Sequence, residues 1–581
     1  MLLTPDTSRD ITPGLIEGSL TAIFFVSAFI WPKLACRQFS QIEHIFARLA
    51  RRKGMAVAAV GISAFLLRLA ILPLFPIPLP FIPDDFSFML AADTFAHGRL
   101  ANPTPAMWMH LESIHISMQP TYMSMYFPAQ GLVMAASQVL FGNPWWCQLI
   151  TCALMCAAIC WMLQAWLPPT WALLGGVLAI LRLGLFSYWI NTFTGAGLIT
   201  AFAGALVLGS LPRLMKTARL QYGWPLAAGM ILLALSRPYE GLLLGLPVAG
   251  AMVWWAFFGK NRPAPGVLLR GAALPLAAIL AALAWLGYYD YRAFGNPLTL
   301  PYTINRATYA LTPYYVWQKQ RIVQPYRHKA IQDFFSNPDK GEYSAFVEMK
   351  SLHGYFNASC ERVWTALMFF SGGALLIPLI MVRRVFLDRR IRFLILCLLI
   401  LMAGIAIEIY MIPHYLAPFT VVFYAIGVQA MRHLRVWTPE GKPVGLTLTR
   451  LAVTLCVVMA GLRLFAEPLH MKVQERPVSA WSIMWYGPNH FGTERARVLS
   501  QLEQQPGKQL ILVRYSPEHP PINEWVYNAA DIDGSKVIWA REMSAADNLE
   551  LFRYYHDRKV WLVEPDTMPA KVSPYPMPAA Q

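Results

Sequence analysis

Two adjacent aspartates, Asp84 and Asp85, stand just after the second long apolar run of the chain. Apolar residues from Phe88 to Phe95 then recur at helical spacing up to Gly98, which predicts a short helix with both acids at its N-terminus. A helix dipole favours the ionised form of an acid there, and an ionised carboxylate can act as a general base. The alternative is that Asp84 is a helix N-cap without a chemical role.

A second candidate is the segment Ser236-Arg237-Pro238-Tyr239-Glu240, which divides another apolar stretch into two. Proline stops a helix at this point, so the segment predicts a break between two helices. The planar fork of an arginine suits a phosphate group, because it donates two parallel hydrogen bonds. An internal Arg237–Glu240 pair that fixes a helical hairpin is equally consistent with the spacing, and the two roles are compatible.

Four further side chains near Asp84 and Asp85 could help to bind a divalent metal ion. Histidine and carboxylate ligands suit such an ion, which would neutralise a leaving phosphate. Their spacing matches no tight metal-binding pattern, so a divalent metal stays an open question and no other cofactor is indicated. The four are His97, His110, Glu112 and His115.

The composition identifies the environment of these residues. The chain has 581 residues, of which 56% are hydrophobic and only 14% charged, with a mean hydropathy of +0.42. Soluble proteins carry about 25% charged residues. A soluble cytosolic enzyme, a disordered protein and a disulfide scaffold are therefore excluded, and an α-helical polytopic membrane protein in contact with membrane lipid is predicted.

The apolar runs predict eleven or twelve transmembrane helices. Three stretches are too polar to span: 78–142, 289–362 and everything from 466 onward. We therefore expect an N-terminal helix with a basic segment at 1–54, a transmembrane core at 55–465 and a small α/β domain at 466–581. The predicted spans are Gly14–Trp31, Met55–Ile77, Trp145–Trp166, Thr170–Trp189, Gly195–Leu211, Gly223–Leu235, Glu240–Phe258, Gly271–Tyr288, Val363–Val382, Phe393–Ile412, Leu416–Ala430 and Leu451–Phe465.

The net charge of +16 is unevenly distributed over the loops. Five short loops on one side of the predicted bundle hold 21 of the 48 basic residues and only three acids. Basic loops mark the cytoplasmic side, so the charge reports orientation and not a nucleic-acid partner. The three long polar stretches then lie on the outer side of the membrane. The five loops are 33–54, 212–222, 259–270, 383–392 and 431–450.

The segment after 466 predicts strands at Leu510–Tyr515, Lys536–Ala540 and Lys559–Val563. It also predicts a helix at Asn523–Ala530 and a second helix, capped by Ser544, through Asp557. The sequence Asp531-Ile532-Asp533-Gly534 is interpreted as a turn and not as the Asp-x-Asp of a nucleotide-sugar transferase.

The polar stretch 78–142 is the first outer loop. It resembles the first outer loop of the GT-C membrane glycosyltransferases, in particular of bacterial relatives of the protein O-mannosyltransferases and the lipid A aminoarabinose transferases. A later His414-Tyr415-Leu416-Ala417-Pro418 matches the Tyr-Leu-x-Pro with which a later span of that family opens. The resemblance covers roughly residues 55–465. The loop reads Asp-Asp-Phe-Ser-Phe-x3-Ala-Asp-x4-Gly-Arg-Leu-x-Asn-Pro, then Met-Tyr-Phe-Pro-Ala-Gln-Gly-x9-Phe-Gly.

The resemblance implies a catalytic role for Asp84, with Asp85 at the following acidic position, in activating an acceptor hydroxyl. It also implies a polyprenyl-phosphate-linked sugar as donor. The aminoarabinose branch often has Lys-Pro-Pro where this chain has Tyr126-Phe127-Pro128-Ala129, so another cation must hold the lipid phosphate. The candidates for the phosphate site are Arg237, His414, Tyr415 and Arg306, and those for other substrate contacts are Glu240, Tyr126, Asp290, Arg292 and Tyr302.

The expected function is transfer of a sugar to an acceptor hydroxyl by direct displacement, which inverts the anomeric centre. A transporter or lipid flippase is the main alternative, because Arg68 and Arg182 lie inside predicted spans. A membrane scaffold that displays the C-terminal domain is a second one. The aromatic residues of the polar stretch 289–362, the middle outer loop, are suited to sugar binding and equally to anchoring at the membrane interface.

Overall fold

The computed structural model describes residues 7–339, 341–469, 471, 484–488 and 490–576. Most of this part is helical, because an apolar run that forms a helix pairs its backbone N–H and C=O groups with one another. The predicted units 1–54 and 466–581 include residues outside the described ones, and their boundaries stay predictions. The α-helices are α1 Thr7–Ile30, α2 Cys36–Arg51, α3 Lys53–Ala70, α4 Pro83–Ala96, α5 Trp108–Leu111, α6 Pro128–Phe141, α7 Trp145–Trp166, α8 Pro169–Ala179, α9 Tyr188–Asn191, α10 Ala196–Thr217, α11 Gly223–Ala234, α12 Pro238–Phe258, α13 Pro265–Phe294, α14 Pro301–Tyr309, α15 Lys329–Ser336, α16 Gly341–Glu348, α17 Leu352–Phe370, α18 Val382–Leu387, α19 Arg392–Ile407, α20 Thr420–Arg435, α21 Val444–Leu464, α22 Thr493–Glu503 and α23 Ala545–Tyr554.

The apolar helices coincide in position with the predicted spans, which confirms the polytopic helical class. A 3-10 segment, Pro413–Phe419, leads directly into α20. Four apolar helices are shorter than a full span, and α17 forms a bent pair with the segment that follows it. In the described chain, seven segments are long and apolar enough to cross a membrane: Lys53–Ala70, Trp145–Trp166, Gly197–Thr217, Pro238–Phe258, Pro265–Phe294, Pro413–Arg435 and Val444–Leu464.

The predicted span Val363–Val382 is wrong as one straight helix. Helix α17 ends at Phe370, and the next helical segment turns away by 112°. At the break, Gly372 has a φ of 59°, a left-handed conformation that glycine adopts without steric cost. The N–H of Gly373 donates to Glu17 Oε1 over 2.8 Å. Glu17 belongs to α1, so an acid from a distant apolar run accepts the backbone N–H that the bend leaves without a helical partner.

Arg68 and Arg182, the arginines on which the transporter interpretation depends, both have protein partners. Arg182 donates through Nε to the carbonyl of Phe369 over 2.7 Å, at the same break in α17. Arg68 is fully buried and donates to the carbonyl of Phe75 over 2.9 Å and to Asn191 Oδ1 over 3.1 Å. Neither side chain is the unpaired charge along a path that the transporter interpretation requires.

The first outer loop folds into two packed helices with a small sheet beside them. Helix α4 is followed by Gly98, as predicted, and α6 is followed by Gly142. Both glycines are left-handed, which is common just after helix C-termini. A Cβ atom on Gly131 of α6 would lie 2.7 Å from the Cβ of Ala91 in α4, so only glycine permits this close packing. The antiparallel sheet has the order β1-β3-β2, with β1 Asn102–Pro103, β2 Ile116–Ser117 and β3 Thr121–Ser124.

The C-terminal domain contains a four-stranded sheet with the order β5-β4-β6-β7. The first three strands are parallel to one another and lie within two residues of their predicted positions, whereas β7 is antiparallel and was not predicted. Ser544 caps α23 as expected, since its Oγ accepts the N–H of Asp547 over 3.2 Å. The strands are β4 Lys508–Val513, β5 Val537–Arg541, β6 Arg558–Glu564 and β7 Lys571–Pro574.

The helix predicted at Asn523–Ala530 is wrong, because this segment is not helical. Glu524 Oε1 accepts the N–H groups of Trp525 over 3.0 Å and of Val526 over 2.9 Å. Arg495 of α22 donates to the carbonyl of Trp525 over 2.9 Å. These side chains bind the backbone groups that a helix would use. The turn at Asp531 is confirmed: its Oδ1 accepts the N–H of Gly534 over 3.1 Å.

The C-terminal domain docks onto the first outer loop. Tyr122 donates through its hydroxyl to the carbonyl of Asn528 over 2.7 Å, and Phe86 of α4 stacks on Tyr527 with ring centroids 4.8 Å apart. Asp93 of α4 accepts the N–H of Ala530 over 2.7 Å. Because α4 carries Asp84, this contact holds the helix that presents the candidate base.

Candidate active site

Asp84 lies in the first turn of α4 but does not cap the helix. Ile82 is the N-cap residue and Pro83 the first helical residue, a position that suits proline. The hydroxyl of Tyr126 donates to Asp84 Oδ1 over 2.5 Å, and His115 Nδ1 lies 3.4 Å from Asp84 Oδ2. The interpretation of Asp84 as an N-cap alone is therefore wrong, since its two oxygens face a tyrosine and a histidine.

His115 is held in a strained conformation that points its ring at Asp84. Its φ is +63°, in the left-handed region that non-glycine residues rarely adopt. The carbonyl of His115 accepts a hydrogen bond from Ser87 Oγ over 2.7 Å and from the N–H of Met125 over 3.2 Å. Ser87 Oγ also lies 2.8 Å from Ser124 Oγ. Such strain persists where the surrounding structure enforces it, and it concentrates at functional sites.

These partners determine the charge of Asp84. Burial by itself raises its pKa, but the facing charge of His115 and the hydrogen bonds from His115 and Tyr126 lower it further. The pKa of Asp84 therefore lies below its ordinary value. A buried carboxylate that is ionised at neutral pH and lies beside a hydroxyl donor has the properties of a general base.

Asp85 has a different environment although it is the next residue. It is fully buried, and its Oδ1 accepts the N–H of Phe193 over 2.8 Å while Oδ2 accepts the N–H of Phe81 over 3.4 Å. Burial and the charge of Asp84 raise the pKa of Asp85 to about 8. Asp85 is thus protonated at neutral pH and connects α4 to the segment before α10, which is a positioning role.

The raised pKa of Asp85 predicts how stability depends on pH. Between about pH 4, its ordinary pKa, and about pH 8, the folded chain holds a proton that the unfolded chain releases. This group therefore lowers the free energy of unfolding as the pH rises through that window, and has no further effect above it. We expect Asp85→Asn to flatten the fall in melting temperature from pH 5 to pH 8. Melting curves in detergent measure this, and an unchanged slope would contradict it.

Arg237 and its partners form a second polar group. Its guanidinium lies 2.8 Å from Glu240 Oε1 and sits over the ring of Tyr415, with Cζ 4.0 Å from the centroid. The hydroxyl of Tyr188 lies 2.9 Å from His414 Nδ1 and accepts the N–H of His414 over 3.0 Å. The tyrosine hydroxyl therefore holds both the Nδ1 side of the His414 ring and the backbone N–H of that residue.

Tyr302 of α14 joins the two groups. Its ring packs edge-on against Tyr126 with centroids 5.5 Å apart, and it stacks on Phe127 at 5.8 Å. It lies within electrostatic reach of both Asp84 and Arg237. The structure therefore brings the predicted base and the predicted phosphate ligand to one buried cluster lined by tyrosines.

The chain matches no protein-family model. It matches no curated protein either. Among solved structures, its fold is similar to the Archaeoglobus fulgidus oligosaccharyltransferase in complex with Zn and sulfate, at 12% identity and a TM-score of 0.45, over 87% of this chain and 67% of that chain. It is also similar to ArnT from Cupriavidus metallidurans in the apo state, at 13% identity and a TM-score of 0.46, over 87% and 92%.

Three other predicted site residues lie outside the cluster around Asp84 and Arg237 or bind other protein groups. Arg306 is buried against Glu342, 2.9 Å away, and donates to the carbonyl of Thr312 over 2.8 Å, so it braces the middle outer loop beside the cluster. Arg292 is exposed on α13, where it contacts Tyr288. Asp290 is buried on the same helix, and its Oδ1 has no hydrogen-bond partner in the described part of the chain.

The four candidate metal ligands do not converge. His97 is exposed and bonds to Asp93 one turn before it, whereas His115 faces Asp84. Glu112 is buried and accepts from Tyr309 over 2.9 Å, with His328 3.3 Å from its other oxygen. Burial and the nearby His328 lower the pKa of His110 to about 4. Among the described residues no group of three or more histidine, cysteine or acidic side chains could hold a metal ion.

Several residues of the cluster were missed in the sequence. Ser87 and Ser124 support His115, Tyr188 orients His414, and Glu408 lies within electrostatic reach of Glu240 and Arg237. Only Glu408 leaves a signal, as an acid near the end of the apolar run Phe393–Ile412. The others are ordinary polar residues whose partners are remote in sequence.

Proposed function

We propose that this chain is an integral membrane glycosyltransferase. It would move a sugar from a polyprenyl-phosphate-linked donor to an acceptor hydroxyl on the outer, periplasmic face of a bacterial inner membrane. The observation that supports this most strongly is the buried, ionised Asp84 in one cluster with the Arg237 guanidinium. A base and a phosphate-binding cation close together are the two groups that such a transfer needs.

In the proposed reaction, the acceptor hydroxyl gives its proton to Asp84 as its oxygen attacks the anomeric carbon of the sugar. The new carbon–oxygen bond forms as the bond to the phosphate oxygen breaks, and polyprenyl phosphate leaves with the electron pair. Tyr126 and His115 hold the Asp84 carboxylate in place. One displacement of this kind inverts the anomeric centre.

The leaving phosphate would be stabilised by the second polar group. Arg237 offers a planar fork for two phosphate oxygens, and Glu240 and Tyr415 hold that fork in position. The imidazole of His414, held on its Nδ1 side by Tyr188, would be a second donor to the phosphate. The ring of Tyr302, between the base and the arginine, would contact the sugar.

A donor panel tests this proposal. The purified full-length chain would be incubated with polyprenyl phosphates that carry a hexose, a pentose or an aminopentose, together with an extract of outer-face glycans and lipids. Release of polyprenyl phosphate with a glycosylated product supports the proposal. Movement of the lipid between leaflets of a vesicle without any sugar transfer would favour the flippase alternative instead.

Arg237→Gln distinguishes phosphate binding from the purely structural pair. If Arg237 binds the leaving phosphate, the variant should lose about 10²-fold in transfer rate, since a hydrogen bond to a charged group contributes about 1.5–3 kcal/mol. Glu240→Gln keeps the guanidinium and should lose much less. Equal losses of rate and of melting temperature in both variants would show that the two residues act only as a structural pair.

A further inference from the structure

A second polar site lies at the other end of α20. The proposed active site adjoins the 3-10 segment before α20, whereas a cavity of about 410 Å³ opens at the C-terminal end of this helix. The 16 residues of α20 separate the two by about 24 Å. The cavity lies among the loops predicted to be cytoplasmic, so no residue of the proposed transfer chemistry reaches it.

Among the described residues, two arginines of the cavity wall form no direct ion pair. Arg390 precedes α19, Arg432 belongs to the last turn of α20, and the two lie within electrostatic reach of each other. In the described part of the chain, neither has an acidic side chain within ion-pair distance. Two like charges held side by side on a half-enclosed wall repel, and an anion between them would relieve that repulsion.

Asp388, the acid among the described residues of the wall, is bound by other groups. Its Oδ1 accepts the N–H of Arg390 over 2.9 Å, and its Oδ2 contacts Gln429 and, at 3.2 Å, His433. Gln429 in turn accepts from Arg432 over 2.6 Å. Asp388 and Gln429 therefore form a frame that fixes the arginines around the cavity and leave it with an excess of positive charge.

A third arginine shares its counter-ion. Arg435 donates to both oxygens of Glu43 over 3.0 and 2.9 Å, and Arg450 donates to the same carboxylate over 2.9 and 3.1 Å. One carboxylate thus serves two guanidiniums. Membrane proteins in general have many basic residues on the cytoplasmic side. That enrichment by itself predicts neither a walled cavity nor a carboxylate shared by two arginines.

We infer that this cavity binds a phosphate group, of either an anionic lipid headgroup or a free phosphate compound. Guanidinium forks match phosphate oxygens, and the volume is in the range of small-ligand sites. Trp171, at the start of α8, lines the same cavity, and tryptophan is enriched at the headgroup level of membranes. The inference is independent of the proposed transferase activity.

The test uses the delipidated full-length chain in neutral detergent and two probes. Native mass spectrometry measures binding of phosphatidylglycerol, with phosphatidylcholine for comparison, and calorimetry measures binding of inorganic phosphate. The double variant Arg390→Gln/Arg432→Gln should bind its probe about tenfold more weakly. The matched control is Arg383→Gln/Arg389→Gln, which removes the same charge from exposed positions of the same region. It should bind as the unmodified chain does.

The outcomes separate the sources of the phosphate. Selective loss of phosphatidylglycerol binding in the cavity variant assigns a lipid, and selective loss of inorganic phosphate binding assigns a soluble compound. Equal losses in both double variants, or no loss in either, would overturn the inference. If the cavity variant fails to fold, the single Arg390→Gln variant, at an exposed residue, provides the same comparison.

Discussion

Asp84→Asn is expected to lower the rate of sugar transfer by about 10³-fold while the chain keeps its fold. Asparagine has nearly the shape of aspartate and can still accept the hydrogen bond from Tyr126, but it cannot take a proton from an acceptor hydroxyl. General base catalysis contributes about 10²–10⁴-fold, so its removal should dominate the rate. The measurement is product formation from a polyprenyl-phosphate sugar by the purified variant.

Two other aspartate-to-asparagine variants serve as references for Asp84→Asn. Asp531→Asn changes an aspartate of an exposed turn and should transfer sugar at the unmodified rate. Asp85→Asn replaces an acid that is already protonated at neutral pH, so we expect a smaller loss than at Asp84. If Asp84→Asn transfers sugar within a few-fold of the unmodified rate, Asp84 is not the base.

Arg541→Gln is expected to destabilise the C-terminal domain by about 3–5 kcal/mol, the usual cost of breaking a buried ion pair. Arg541 and Glu524 are both nearly inaccessible to solvent, and Arg541 Nη2 lies 2.5 Å from Glu524 Oε2. Arg541 also donates to the carbonyl of Glu112 over 2.7 Å, which ties the domain to the first outer loop. The variant should therefore unfold at a lower temperature and expose the domain to protease.

Arg514→Gln is the matched control for this prediction. Arg514 also pairs with a glutamate, Glu542, but the arginine is 46% exposed, against 3% for Arg541. An exposed pair contributes about 0–1 kcal/mol, so this variant should melt close to the unmodified chain. Similar melting temperatures for the two variants would contradict the structural role assigned to Arg541.

The sequence was a good guide wherever one segment controls the outcome. Apolar runs predicted the helices of the bundle, and Gly98 predicted the end of α4. Ser544 predicted the cap of α23 and Asp531 predicted a turn. Each of these features depends on side chains within a few residues, so local chemistry decides it.

The sequence failed where remote side chains bind the backbone. Residues 523–530 have an ordinary helical pattern, but Arg495 of α22 takes the carbonyl of Trp525 that a helix would use. The run Val363–Val382 is apolar throughout, yet it bends, because Glu17 and Arg182 form hydrogen bonds with the backbone groups at the bend. A pattern along one segment contains no information about such partners.

The sequence by itself determined that this is a helical membrane protein, and it singled out Asp84 and Arg237 as candidate reactive groups. Only the tertiary structure decided how they differ from their neighbours. Consecutive residues of a helix point about 100° apart, so Asp84 faces His115 and is ionised, whereas Asp85 faces the backbone of Phe193 and is protonated. The charge of a buried acid depends on what packs against it, and that depends on the whole fold.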